Sequence, residues 1–598
     1  MKKIVIYITA LLMAVTSSCD FLDKEVDLSI TEDVVFSDFQ QTRDFLANVY
    51  GGQSRVNLYD PFDGILNDGQ FLGTGHEAMT NNMISYWNVH RYHSILTNSY
   101  SSADHWFAQN TWTRVFRGVR AANVFMKNAR ETVVGNNVVE GDNNRLYDRY
   151  MAEARLLRAI FHFDAAKWYG PVPIIGDDAS RTPIVFELED TEAMNMSRTP
   201  CADVLKWIAD ECDAVKDILP YRYSNIAENF GRVNGATAYA LKSRALLYRA
   251  SPLNNTNNNL SWWEEAAQAA LDMIAKNDSE SNNFQLYRTA TNDVNRNYYE
   301  CFITTPYYNN EYILTGMVGN NRTVEGATAP VGFTGSANAT GRMNPTQNLV
   351  DSYETINGLP IDKDPTYDPQ NPYVNRDPRL QQSIFHHGMI WGDPIQEEER
   401  ALDMTYGRGA DYQELHGGTY TGYYPKKYVN NMSWKVPSNY LHAFPLFRYG
   451  EVFLNAAEAI NEAYGPDEAY QYVNQIRERV GMPPYSGMTQ AHLRERLRIE
   501  RRVEFFFEEH WWFDERRWKM FEEQTIDNEK NLPYYLQVYN IYGVTIRPDL
   551  PQLYNYGPAQ LHPYRSLLLP KNYYFPIPDT ELKKAPNLGQ NSGWELAN

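Results

Sequence analysis

Residues 149–173 read RYMAEARLLRAIFHFDAAKWYGPVP, and this stretch decides the fold class. From Tyr150 to Tyr169 apolar residues recur at helical spacing, and Gly170-Pro171 then stops the helix. The same period returns on both sides of it. Upstream, Trp112 to Arg130 (WTRVFRGVRAANVFMKNAR) sets Trp112, Val115, Phe116, Val119 and Val124 close to one apolar stripe. Downstream, Ala202 to Leu219 is a partner helix and Asn234 to Ala250 pairs with Trp262 to Ala275. Near the end, Phe453 to Ala463 pairs with Glu468 to Val480, and Ala491 to Phe513 is predicted as one long helix. Ala240, Ala245, Ala266, Ala267, Ala456, Ala457 and Ala459 let such hairpins approach closely, as alanine does in tetratricopeptide repeats. No strict 34-residue repeat is visible, so the expectation is a degenerate, tetratricopeptide-like array.

Between the hairpins run long segments rich in Asn, Gly, Tyr and Pro, at about 51–105, 278–345 and 357–445. Loops of that length are functional or disordered, and their aromatic content argues against disorder. Function is therefore expected in the loops and stability in the helices. Of 598 residues, 14% are aromatic, including 43 Tyr and 13 Trp. Secreted carbohydrate-binding proteins share this bias, because a flat ring covers the C–H face of a sugar. The net charge of -19 makes nucleic acid a poor partner. Cys201, Cys212 and Cys301 have no metal-like spacing, and Cys201 and Cys212 lie too far apart for a disulfide if one helix carries both.

The N-terminus, MKKIVIYITALLMAVTSSCDFLDKEVD, joins two lysines to an apolar run from Ile4 to Val15, then to the small residues Thr16-Ser17-Ser18. This pattern predicts a removed signal peptide over residues 1–18, too short to span a bilayer of about 30 Å. Its end at Cys19 resembles a bacterial lipoprotein signal, which implies fatty acylation of Cys19, although Thr16 stands where such signals prefer Leu. Several acyl chains on one residue anchor stably where a single chain binds only marginally.

Four stretches together resemble the SusD/RagB family of outer-membrane nutrient-binding lipoproteins. They are the opening 149–173 stretch, Met343 to Pro360 (MNPTQNLVDSYETINGLP), and Leu446 to Glu462 (LFRYGEVFLNAAEAINE) with Asn474 to Gly481 (NQIRERVG). The fourth is Ile499 to Trp518 (IERRVEFFFEEHWWFDERRW) with Phe575-Pro576-Ile577-Pro578 and Asn587 to Trp594 (NLGQNSGW). Glu509 stands where the family often has Gly, and Ser592 where it often has Pro. The resemblance implies a mainly α, SusD-like fold: tetratricopeptide-like hairpins as scaffold, with long loop-rich insertions and a little β. It divides the chain into the signal peptide, a lipid-anchored tether at 19–40, a helical region at 41–280 and a C-terminal domain at 281–598 with ligand-facing loops.

The last of these stretches reads as structural. Arg501, Arg502, Glu504 and Glu508 are expected to form i,i+4-type ion pairs, with Phe505, Phe506, Trp512 and Phe513 in the core. Asp514 and Arg517 are expected as buried partners that hold the PIP segment. Glu508 and Asp514 are the alternative reading, a glycosidase acid pair, but sequence proximity says nothing of carboxyl separation. The sequence matches neither HExxH, a nucleophile elbow, a P-loop nor a dinucleotide fingerprint. No catalytic residue, cofactor or metal ligand is assigned.

The resemblance implies a non-catalytic receptor. It would capture oligosaccharide or polysaccharide at the outer cell surface and pass it to a SusC-like TonB-dependent transporter. The family motifs do not contain the binding site, so candidates come from rings beside polar residues in the loops. Trp87, Asn88 and Tyr92 form one cluster; Tyr298, Tyr307 and Tyr308 a second; Asn320, Arg322, Phe333 and Arg342 a third. The rival readings are a helical polysaccharide-degrading enzyme, a receptor for peptide or another nutrient, and a protein-interaction scaffold.

Overall fold

A computed structural model describes residues 32–51, 76–85, 90–103, 105–135, 145–186, 190–318, 323–333, 339–392, 399–412, 418–430, 442–522 and 524–595. The expected helices form: α1 Phe39–Val49, α2 His105–Asn128, α3 Leu146–Tyr169, α4 Cys201–Asp213, α5 Gly235–Ala250 and α6 Leu260–Ser279. After a long insertion come α7 Tyr449–Tyr464, α8 Tyr470–Arg479, α9 Gln490–Glu504 and α10 Trp511–Arg517. Local chemistry sets their ends. Gly170 closes α3 with φ +72°, a backbone state that glycine enters without steric penalty. Asn234 opens α5 by accepting from Thr237 N, while Thr237 reciprocates in a capping box.

From α2 to α7 each labelled helix packs on its successor, and α9 packs against α7, which makes a mainly α array of consecutive hairpins. All seven alanines expected at the crossings are buried. At Gly118 the α2–α3 approach leaves no room for a side chain, since a Cβ there would sit 1.9 Å from the Phe161 ring. The contact of α6 with α7 spans the insertion, so helices on both sides of residue 280 share one apolar core running from Phe36 to Trp594. A second core gathers residues of the insertion, among them Tyr298, Leu349, Tyr353, Phe385 and Tyr424. The β content is small. β1 (Met83–Ser85) pairs antiparallel with β3 (Met343–Pro345), and β5 (Tyr542–Ile546) with β6 (Tyr554–Pro558). β2 (Tyr312–Val318) pairs with β4 (His442–Arg448), and the match of Tyr312 to Arg448 closes the insertion at the start of α7.

The predicted long helix 491–513 is instead broken. Phe507 and Glu509 take positive φ (61° and 68°), and the chain turns between α9 and α10. The turn puts Phe505 in the first core and Phe506 and Phe507 in the second, before Trp512 and Phe513 return to the first. The expected i,i+4 ion pairs are replaced by long-range buried ones. Arg448 donates to Glu311 (2.6 Å), Glu504 (2.8 Å) and Glu508 (2.6 Å), and Lys427 also donates to Glu508 (2.6 Å). Glu504 further accepts from Arg379 (3.0 Å) and Arg479, while Glu500 accepts from Arg379 (2.6 Å) and Arg477 (2.9 Å). Helical spacing places Glu500 and Glu504 on one face of α9, and that face is covered by arginines of the insertion and of α8 rather than by its own helix. Removal from water makes each of these charges depend on its partner.

Asp514 and Arg517 are buried partners as expected (2.7 Å). The rest of the guanidinium reaches Glu458 and Ser251, however, and does not hold the PIP segment. That segment is fixed by Phe575 stacking on Trp512 (5.9 Å) and by Asn591, which donates to Tyr169 O and Phe575 O. Cys201 and Cys212 both sit on α4, and burial pushes the Cys201 thiol up to about 12.

Candidate functional site

A cleft of about 440 Å³ opens where the α4–α5 connection meets β2 and the segment before it. β2 contributes Tyr312, Ile313, Leu314 and Thr315 to its lining. The Thr315 Oγ1 is buried without a hydrogen-bond partner among the described residues; the Tyr312 hydroxyl is unpartnered too, but its neighbours are Cys301, Glu508 and Arg448 in the interior. Such orphans are rare, because a buried polar group that loses water costs about 1–3 kcal/mol. One wall is Arg222, which donates to Asn283 O (2.9 Å) and Asn310 Oδ1 (3.0 Å) and lies 4.6 Å over the Phe284 ring. Burial lowers the Arg222 pKa. Asn229, held by Arg149 (2.9 Å), and Arg232, paired with Glu153 (2.7 Å), complete the polar lining.

Phe230 lines this cleft, and Tyr307 meets its ring edge-on at 4.7 Å. Tyr308 beside it is 79% exposed. Gly231, with φ +77°, turns the chain between Phe230 and Arg232. A ring and hydrogen-bonding groups in one lining match what a saccharide needs: cover for its C–H face and partners for its hydroxyls.

Of the sequence-derived candidates, Tyr307 adjoins the cleft through the Phe230 ring, and Tyr308 is its exposed neighbour in sequence. Tyr298 is not with them. It is fully buried, donates from its hydroxyl to Glu504 O (2.6 Å) and accepts from Lys427 (2.9 Å), so its ring offers no face to a sugar. Tyr92 is likewise a core ring. Phe333 is buried between the Trp391 ring (4.6 Å) and the Arg400 guanidinium (4.2 Å), and Arg342 is half-buried nearby in sequence, its pKa lowered by burial. Cys19, Trp87, Asn88, Asn320 and Arg322 lie outside the described residues.

Sequence reasoning missed Arg222, Asn229, Phe230, Tyr312 and Thr315. The available signal was the aromatic and Asn-rich stretch 221–232, YRYSNIAENFGR, which interrupts the helical region. The proposed acid pair is committed elsewhere: Glu508 accepts from Arg448 and Lys427, Asp514 from Arg501 and Arg517. Among the described residues no group of three metal-ligating side chains is assembled.

Comparison with known proteins agrees with this architecture. A SusD-like protein from Bacteroides fragilis superposes with TM-score 0.71 at 23% identity, over 94% of this chain and 99% of the other. A SusD-like carbohydrate binding protein from the same species gives 0.67 at 23% identity, over 93% and 100%. Surface glycan-binding protein A from Bacteroides uniformis gives 0.57 at 19%, over 92% and 99%. In sequence, SusD-like protein P2 of Formosa agariphila is 31% identical over 154 residues, so the alignment spans about a quarter (24%) of each chain. A family model described as "Starch-binding associating with outer membrane" matches residues 20–247, and the model of the SusD family matches 275–594. With its helical array, its insertion and more than half its length matched, the chain belongs to the SusD family.

Proposed function

We propose that the protein is a non-catalytic oligosaccharide receptor, anchored to the outer membrane through acylated Cys19. It faces outward and delivers its ligand to a SusC-like TonB-dependent transporter. The observation that carries the reading is the 440 Å³ cleft, which joins the Phe230 ring, met edge-on by Tyr307, to Arg222, Asn229 and the unpartnered Thr315 hydroxyl. Membership in a family whose relatives include carbohydrate- and glycan-binding proteins supports the ligand class. An anchor beside a transporter raises local ligand concentration, so modest affinity suffices.

The test is a binding screen of the full chain, purified in mild detergent, against soluble polysaccharides and their oligosaccharides, with reducing ends assayed in the same tubes. Saturable binding without product is expected. The Phe230→Ala, Tyr307→Ala double variant should bind at least about tenfold more weakly, since ring stacking and its area contribute about 1–3 kcal/mol. Release of reducing ends would overturn the receptor in favour of an enzyme. Unchanged affinity in the double variant would remove the cleft as the site.

A further inference from the structure

The arginines of α9 are unequal. Arg494 is paired with Glu462 and Arg496 with Glu354. Arg501 donates to Asn455 (2.8 Å), and Arg502 to Asn82 (2.6 Å) and Tyr535 O (2.9 Å). Arg498 sits in the same helix without a hydrogen bond or ion pair among the described residues, and its Nε is buried and unpartnered. Its guanidinium lies 5.3 Å from the Trp518 ring centroid, and burial lowers its pKa.

Arg498 lines a cleft of about 340 Å³ between α6, α7 and α9, whose apolar walls include Trp263, Leu497 and Trp518. Two acids border the cleft, and both are already committed. Glu458 accepts from both terminal nitrogens of Arg517 (2.5 and 2.7 Å) and from the Trp518 indole (2.7 Å). Glu462 is held bidentately by Arg494, whose Nε lies at 2.7 Å. Local acid therefore does not satisfy Arg498. A guanidinium presents planar pairs of donors that fit a carboxylate with two parallel hydrogen bonds, and apolar walls strengthen such bonds by excluding water.

We propose that this cleft is a carboxylate-binding site on the helical scaffold, separate from the saccharide cleft, with Arg498 as its anchor. It takes a ligand that presents a single carboxylate, from an acidic sugar or from an acidic amino acid or peptide end. Glu458, Glu462 and the net charge of -19 repel a dense polyanion, which selects for a lone acid group.

The test uses the full chain labelled with 5-fluorotryptophan and followed by fluorine NMR, the Trp263 signal being assigned by Trp263→Phe. Glucuronate, glucose and N-acetylglutamate are titrated in parallel. A saturable shift of the Trp263 resonance is expected with an acid and none with glucose. Whichever acid binds more tightly identifies the source of the carboxylate. Arg498→Met preserves the stem that packs near Trp518 but removes the donors, and should weaken binding about tenfold or more. Arg498→Lys keeps charge without the planar fork and should fall between. No saturable shift with either acid, an equal response to glucose, or undiminished binding in a folded Arg498→Met protein would overturn the proposal.

Discussion

Glu458 offers the sharpest check on how buried charge holds this molecule together. It lies on α7, buried, and takes both terminal nitrogens of Arg517 and the Trp518 indole on its two oxygens. Burial alone would raise its pKa; the charge and hydrogen bonds of Arg517, with the charge of Arg501, reverse this and hold it at about 2, well below the ordinary glutamate value of about 4.5. A pKa depressed by folding is stability that is present above the unfolded value and lost as pH falls through the folded one. At about 1.4 kcal/mol per unit, this carboxylate contributes about 3 kcal/mol near pH 7, lost between roughly pH 4.5 and 2. Glu458→Gln keeps the shape and removes the charge. In urea unfolding followed by tryptophan fluorescence, the variant should be less stable by about 3 kcal/mol at neutral pH, and the two proteins should converge as the solution is acidified. A difference below about 1 kcal/mol, or one that does not change with pH, would refute the reasoning.

Arg448→Met strips the shared cation from Glu311, Glu504 and Glu508; scanning calorimetry at neutral pH should show a loss of about 3–5 kcal/mol, and a change under about 1 kcal/mol would contradict the role given to this network. Glu77 titrates in the opposite sense. Burial, and then repulsion from Glu509, push it up to about 8, so stability present below about pH 4.5 is lost as pH rises through about 8. Glu77→Gln should gain stability relative to the native protein between neutral and mildly alkaline pH, measured by urea midpoints; parallel pH dependence of the two would rule this out.

The helices were legible in sequence because their signals are local. Gly170-Pro171 ends α3 where the apolar period stops, and Ala245, Ala266 and Ala457 lie at helix contacts as small residues at helical spacing predict. The family could be read from motifs for the same reason, since each is a short stretch with its order preserved. The candidate cleft was half legible. Tyr307 and Tyr308 stood out as rings in a polar loop, but Phe230 and Arg222 come from 77 or more residues earlier, and only the folded chain brings Thr315 of β2 to the same lining. Tyr298 shows the converse, because a ring among Asn and Tyr in sequence is indistinguishable from a ligand platform until Glu504 and Lys427 are seen to close over it.

By itself, then, the sequence determined what depends on neighbours within a few turns: helix positions, their ends, the alanine contacts and the order of motifs. Tertiary structure alone decided which distant charges meet and where the chain breaks between α9 and α10. Glu504 lies in a strong helical pattern whose continuation is equally helical, yet α9 ends there, Phe505 and Phe506 part to different cores, and Arg379, Arg448 and Arg479, drawn from other segments, converge on its carboxylate in the interior. A buried charge must find its partner wherever the chain supplies one, and the energy at stake outweighs the small local preference for another helical turn.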